Sequence, residues 1–299
     1  MVRKTMAIRR LAIVLVCSLW LFSVGAAVTT EVSPLPWDNS PGYEPNPADY
    51  TQEGYYDASL RVEVHHVRYA DADFTVARVK IKHPSQLRTG LAETLGSPAN
   101  RLTTMAKHYN AVLAINGDYY TERKAGLIVR QGETLREKTS NLYDVLLIDA
   151  NGDFHIVKRD NLEMLEFYLS GELDIRNAFS FGPALVVDGV VQEIPEKYSF
   201  APRYQNPRAA IGQVGALEYV CVVADGRTDT SDGVTMSTLA EAMAELGCTQ
   251  AYNLDGGNSA TLVLGGEICS DKTVANERSQ SDFIYFATTV DPINWKTQP

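Results

Sequence analysis

The chain has 299 residues, 45% of them hydrophobic, which is long and apolar enough to bury a sizeable core and excludes a disordered polypeptide. Its formal charge of −10, from 37 acidic and 27 basic residues, and its want of any Lys/Arg-rich run with interleaved aromatics argue against nucleic acid as a partner. A local arginine cluster can still hold phosphate, so phosphate-bearing polymers stay open.

At the start, Arg3, Lys4, Arg9 and Arg10 precede an apolar run from Leu11 to about Val28, closed by Gly25, Ala26 and Ala27. That is an export signature, and the run is also just long enough to span a bilayer. Residues 1–28 therefore read as a cleaved signal peptide or as an uncleaved N-terminal membrane anchor. In either case the positive flank predicts that the remainder is extracellular or at the cell surface. Residues 29–57 hold Pro34, Pro36, Pro41, Pro45 and Pro47 and read as a linker or extended arm.

The domain proper is expected over residues 58–290, followed by a tail at 291–299. Strand-like runs begin with Arg61 to Val67 and Phe74 to Ile81. Ser97-Pro98 predicts a capped helix running to Tyr109, then a strand over Ala111 to Ile115 that ends in Asn116-Gly117-Asp118-Tyr119-Tyr120. A strand over Leu217 to Ala224 ends in Asp225-Gly226-Arg227. Thr238 and Glu241 suggest a capping box for a helix through Leu246, with Gly247 at its end. The strand Gln250 to Leu254 then runs into Asn253-Leu254-Asp255-Gly256-Gly257-Asn258-Ser259. These elements predict a single α/β or α+β domain around a mixed, mostly β sheet with a few flanking helices.

Three strand ends thus carry Asp118, Asp225 and Asp255, each beside glycine, and ligands gather beyond the carboxyl ends of strands. Paired glycines let the backbone approach a ligand closely, although Asp-Gly is also a hairpin-turn signal. Among the cysteines, Cys221 lies in an apolar run as a core thiol, and Cys248 with Cys269 is the one disulfide to entertain. The histidines show no zinc-like spacing.

The order Asn116-Gly117-Asp118-Tyr119-Tyr120, Phe181-Gly182-Pro183-Ala184-Leu185, Asn206-Pro207-Arg208-Ala209-Ala210-Ile211-Gly212, Asp225-Gly226-Arg227 and Asn253 to Ser259 resembles the phosphodiester glycosidase family over about Leu60 to Val290. Five motifs in order are fairly specific. Asn258 stands where that pattern commonly has glycine, and Tyr120 where it commonly has phenylalanine. The resemblance implies hydrolysis of the bond between a sugar's anomeric carbon and a phosphodiester oxygen, as in an N-acetylglucosamine-1-phosphodiester, within a phosphate-linked glycan.

A departing phosphomonoester, with a second pKa of about 6, leaves without full protonation, so one well-placed carboxylate and phosphate-binding groups suffice. Asp255 is the main catalytic candidate and Asp118 a second acid/base or a sugar-hydroxyl ligand. Arg208, with Arg227 and Arg278, suits phosphate. Asn116, Asn253 and Asn258 suit sugar hydroxyls, and Gly117, Asp225, Gly256, Gly257 and Ser259 complete the expected binding loops. No cofactor is required on this scheme. The alternatives are a phosphoesterase in which Asp118, Asp225 and Asp255 hold Mg²⁺ or Ca²⁺, and a non-catalytic glycan-binding protein at the cell surface.

Overall fold

Side-chain alternation decides how the strands are used. In Glu218–Ala224 the side chains of Tyr219, Cys221 and Val223 enter one apolar cluster, whereas Val220, Val222 and Ala224 enter another. A strand buried on both faces belongs inside a layered protein. The computed structural model describes residues 33–270 and 277–296; the N-terminal segment read as signal peptide or anchor lies outside the described residues. No helix among the described residues is long and apolar enough to cross a membrane.

The result is the mostly β single domain expected from the sequence. Every pairing among the described strands is antiparallel, which selects the α+β alternative. A nine-stranded sheet has Leu60–Tyr69, Ala72–Ile81, Glu218–Ala224, Arg208–Gly215, Gln250–Leu254 and Ala184–Val187 as consecutive neighbours. One five-stranded sheet places Ile175–Ser180 between Val145–Asp149 and Ile128–Arg130. The other places Leu113–Asn116 between Leu262–Leu264 and Asp282–Phe286, with Leu87–Leu91 at its edge. A central core joins the three, through Ile211 and Leu254, Leu146 and Phe179, and Ile115 and Ile284 respectively.

Two helices cover outer faces. Met236–Glu245 lays Leu239, Ala240 and Met243 on the large sheet, and Leu102–His108 packs Leu102, Met105 and Ala106 against Ala114, Phe283 and Tyr285. Their starts differ from expectation. The first helix begins at Leu102 after Arg101, which makes no side-chain cap, so Ser97-Pro98 belongs to the preceding loop. The second is capped by Thr235, whose side chain accepts from the Thr238 backbone, so the cap lies three residues before Thr238. Gly247 does close it, at φ +89°. All three described cysteines are free, Cys221 and Cys248 buried in different clusters, and the Cys248–Cys269 bridge is not formed.

The proline-rich stretch is laid along the body from Leu35, which is buried in the cluster that holds Leu102, Met105 and Ala106 and donates from its backbone to Ser85 Oγ at 2.9 Å. Its anchor is Arg88, fully buried. The guanidinium donates to Pro36 O at 2.8 Å, Asp38 O at 2.9 Å and Ser40 O at 3.0 Å, and Nε donates to Tyr285 Oη at 2.9 Å. Arg88→Met removes these charge-assisted bonds. Limited proteolysis is expected to cut the variant between residues 33 and 45 at least tenfold faster than the wild type, for a local loss of roughly 1.5–3 kcal/mol; equal cutting rates would refute this anchoring.

Candidate active site

The five glycine-containing motifs meet at one end of the sheets. Gln250–Leu254 and Glu218–Ala224 both pair antiparallel with Arg208–Gly215, so their carboxyl ends point the same way and the strand between them starts there. From the neighbouring sheet, Leu113–Asn116 delivers the loop of residues 116–120 to the same place. The two Asp-bearing loops are tied directly: Asn116 Nδ2 donates to Asp255 O at 2.7 Å, and Asp255 N donates to Gly117 O at 3.2 Å. Gly182 O accepts from Asn253 Nδ2 at 2.8 Å beside the cis Gly182–Pro183 peptide, and Pro207 O accepts from Gly257 N at 2.8 Å. The closeness explains a glycine. A Cβ on Gly256 would stand 2.7 Å from Pro207 O.

Asp255 is partly exposed on this floor and carries its carboxylate among cations. Burial raises its pKa; the Ser259 hydroxyl bond and then the charges of Arg278 and Arg123 pull the other way. Arg278, exposed, donates from Nη1 to Ser259 Oγ at 3.1 Å and lies 4.9 Å from the centre of the Tyr119 ring. Tyr119 is presented by a left-handed turn at φ +49°, whereas Tyr120 is buried. On the other flank, exposed Arg227 donates to Asn258 Oδ1 at 3.1 Å and to Asn206 Oδ1 at 2.7 Å. Asn258 therefore orients a guanidinium at the rim.

Asp118 is placed differently. It is fully buried, Oδ1 lies 3.0 Å from Arg130 Nη2, Oδ2 lies 2.9 Å from Arg123 Nη2, and Oδ2 accepts from Ser180 N at 3.2 Å. Arg130 Nη2 also donates to Asp282 Oδ2 at 2.7 Å, making a closed cluster of charges without solvent. Burial pushes the Asp118 carboxyl up to about 6, opposed by Arg123, reinforced by Asp282 and opposed by Arg130. A carboxylate so enclosed does not touch a substrate, so the expected acid/base role gives way to a positioning one.

Arg208 is likewise corrected. Its Nη1 donates to Phe200 O at 3.0 Å, Nη2 to Ala201 O at 2.8 Å and Tyr204 O at 2.9 Å, and Nε to Val234 O at 3.3 Å. With its donors spent on carbonyls and its pKa lowered to about 10 by burial and by Arg227, it braces a loop rather than binding phosphate. Asn116 is a buried brace, as its bonds to both loops show, and Thr261 N donates to its Oδ1 at 3.0 Å. Asn253 is buried, with Oδ1 lacking a hydrogen-bond partner. Asp225 is buried, its backbone bound to Asp73 and Ser231, and what its loop extends to Asn258 is Arg227. Among the described residues no three Asp, Glu, His or Cys side chains gather to hold a metal ion, so the Asp118, Asp225 and Asp255 cation site is not formed.

Three residues of this cluster lie outside every sequence motif: Arg123, Arg130 and Asp282. Arg130 ends the apolar run Leu127 to Val129, and Asp282 opens the apolar strand Asp282–Phe286. A lone charge in an apolar strand is the signal that marks Arg130 and Asp282, whereas Arg123, between Glu122 and Lys124 in a loop, carries no such signal. Register then brings them together, because Phe283 pairs with Asn116 and Asp282 O accepts from Gly117 N at 3.1 Å.

A family model described as phosphodiester glycosidase matches residues 109–287. The SPbeta prophage-derived uncharacterized protein YomE of Bacillus subtilis is 25% identical over 184 residues, 60% of this chain, and the chain spans 28% of that relative's length. The zebrafish N-acetylglucosamine-1-phosphodiester alpha-N-acetylglucosaminidase catalytic domain, auto-inhibited by its pro-peptide, superposes with a TM-score of 0.60 at 17% identity, over 82% of this chain and 86% of that one. A hypothetical protein from Synechocystis gives a TM-score of 0.52 at 17% identity, over 76% of this chain and 62% of that one. A putative exported protein from Burkholderia pseudomallei gives 0.50 at 15%, over 72% and 74%. At these identities the solved structures speak for the fold.

Proposed function

This chain belongs to the phosphodiester glycosidase family, and we propose that it hydrolyses the bond between a sugar's anomeric carbon and a phosphodiester oxygen in a phosphate-linked glycan. The observation that carries this is the pairing of one partly exposed carboxylate, Asp255, with exposed guanidiniums at Arg278 and Arg227 on either flank. A sugar-1-phosphodiester needs both: anchors for the phosphate and a base at the anomeric carbon. Water gives a proton to Asp255 and its oxygen to the anomeric carbon, while the bond from that carbon to the phosphate oxygen breaks and the oxygen stays on phosphorus. The phosphomonoester leaves as an anion held by arginine, and Asp255 releases its proton to solvent. Asn258, exposed on the loop, is the proposed ligand for a sugar hydroxyl, whereas Asn253, buried and bound to Gly182 O, braces the loop. N-acetylglucosamine is the sugar to try first, since the zebrafish enzyme of like fold is named for it.

The proposed setting is outside the cytoplasm, on a secreted or membrane-anchored protein, supported by the basic and apolar character of residues 1–28. The purified protein, incubated with a panel of sugar-1-phosphodiesters in ¹⁸O-water, is expected to release free sugar carrying the label at its anomeric hydroxyl. Label in the phosphomonoester would instead mean attack at phosphorus and overturn the proposal. Binding without release would make the protein a glycan receptor.

A further inference from the structure

Beside the candidate active site runs a groove of about 300 Å³ lined by Ala70, Arg203, Tyr204, Gln205, Thr235 and Thr238. Its wall is continuous with the site. Gln205 lies in the groove, and the next residue, Asn206, accepts from Arg227 through its side chain and exchanges backbone hydrogen bonds with Val234. One residue further, Pro207 O accepts from Gly257 N in the loop of Asp255.

The loop that forms the groove is held with unusual firmness for a surface segment. Phe200 and Ala201 have left-handed backbones, at φ +70° and +49°, and their carbonyls, with that of Tyr204, take the donors of buried Arg208. The Phe200 ring stacks on Phe181, with centroids 3.8 Å apart and planes within 6°, and so leans on the wall of the site. What this bracing presents to solvent is Tyr204, with 71% of its surface exposed. Buried charge and backbone strain spent on a loop point to a geometry that matters. An exposed aromatic ring among amide and hydroxyl groups suits the face of a sugar or the carbon chain of a polyol. Arg203 at the rim is neutralised by Glu196, so the positive charge at the junction is that of exposed Arg227, complementary to phosphate.

We propose that this groove is a subsite for the unit beyond the phosphate, a sugar or polyol of a phosphate-linked glycan, with Tyr204 as its stacking platform and Arg227 at its junction with the candidate active site. The subsite rests on the proposed hydrolysis for its place in the substrate, and it makes an extended diester the preferred one.

The test uses the whole protein with two substrates of one sugar, the methyl diester of N-acetylglucosamine-1-phosphate and its diester with the 6-hydroxyl of glucose. Wild type is expected to favour the second. Tyr204→Ala is expected to raise KM for it by about five- to tenfold and leave kcat, and both constants for the methyl diester, unchanged. Tyr204→Phe should restore the wild-type values. Equal losses on both substrates, or a wild type without preference, would overturn the subsite. Calorimetry with the non-hydrolysable phosphonate of the glucose diester separates the two proposals. If nothing is hydrolysed yet Tyr204→Ala weakens binding of the phosphonate, the subsite stands and the hydrolytic activity falls. If wild type and Tyr204→Ala bind it alike, or neither binds it, the subsite falls whatever the hydrolysis shows.

Discussion

Asp255→Asn is expected to lower kcat for sugar release by roughly 10²–10⁴-fold, the range for loss of a positioned base, with the thermal transition nearly unchanged. Its carboxylate is partly exposed, and the loop it belongs to is held through backbone atoms, Asp255 N to Gly117 O and Asp255 O from Asn116, which the amide variant keeps. The pH profile gives a second handle. The base must be ionised, and its pKa lies above the ordinary carboxylate value of 3.8 because burial outweighs the Ser259 hydroxyl and the arginine charges. Rate is therefore lost as pH falls through that raised value, so the acid limb of kcat/KM lies above pH 3.8. Ser259→Ala takes away the hydrogen bond that opposes burial and is expected to move the limb further up while the plateau at higher pH holds. A rate that rose on acidification, or a limb indifferent to Ser259, would mean that Asp255 is not the base.

Both results turn on a residue that is legible in the sequence. Asp255 announced itself because its loop packs carboxylate, amides and hydroxyl around paired glycines, and a local sequence window records local backbone needs. The loop pairing Asn116-Gly117-Asp118 with Asn253 to Ser259 was legible for the same reason. What a window does not hold is depth. Asp118 and Asp255 have similar neighbours in sequence, yet Asp118 is fully buried against Arg123 and Arg130 while Asp255 stays partly exposed. Arg208 misleads likewise: a guanidinium at a strand entry beside Asn-Pro suits phosphate, but the strand lies inside the nine-stranded sheet between Glu218–Ala224 and Gln250–Leu254, and its first side chain is covered by residues 200–204. Cap signals mark both helices but not their starts, because Ser97 and Thr238 are acceptable caps in isolation and packing chooses Leu102 and Met236 as the first buried turns.

Asn258 links the legible part to the hidden part. Where the family pattern commonly has glycine, this chain has an amide that accepts from Arg227. The guanidinium is thereby held from two sides, by Asn206 and Asn258, at the rim where the proposed function places the phosphate. A substitution that looks as if it would crowd the site instead fixes the direction of one of its cations.

Beneath the site the same logic runs without solvent, and there the largest effect on stability is expected. Arg130 is fully buried; it donates to Val129 O at 3.0 Å and to Ala178 O, meets Asp118 and Asp282, and lies 3.9 Å from the centre of the Phe179 ring. Arg130→Met preserves much of the volume but leaves two carboxyl groups facing each other without their shared cation. Removing one partner of a buried ionic cluster costs about 3–5 kcal/mol, a fall in Tm on the order of 10 °C for a domain of this size. The pH dependence has a definite sign. In the wild type the Asp118 carboxyl, at about 6, is already above its unfolded value of 3.8, so the stability that its protonation contributes is complete below 3.8 and is lost as pH rises through 6. Without Arg130 that folded-state value rises further, so the variant's deficit is expected to be largest at neutral pH and to shrink on acidification. Arg130→Met combined with Asp118→Asn should recover part of the loss at pH 7 by removing one of the stranded charges. Thermal melts of the single and double variants across pH 4.5–7.5 check this directly, since a deficit that is constant with pH would mean that Arg130 acts through packing alone.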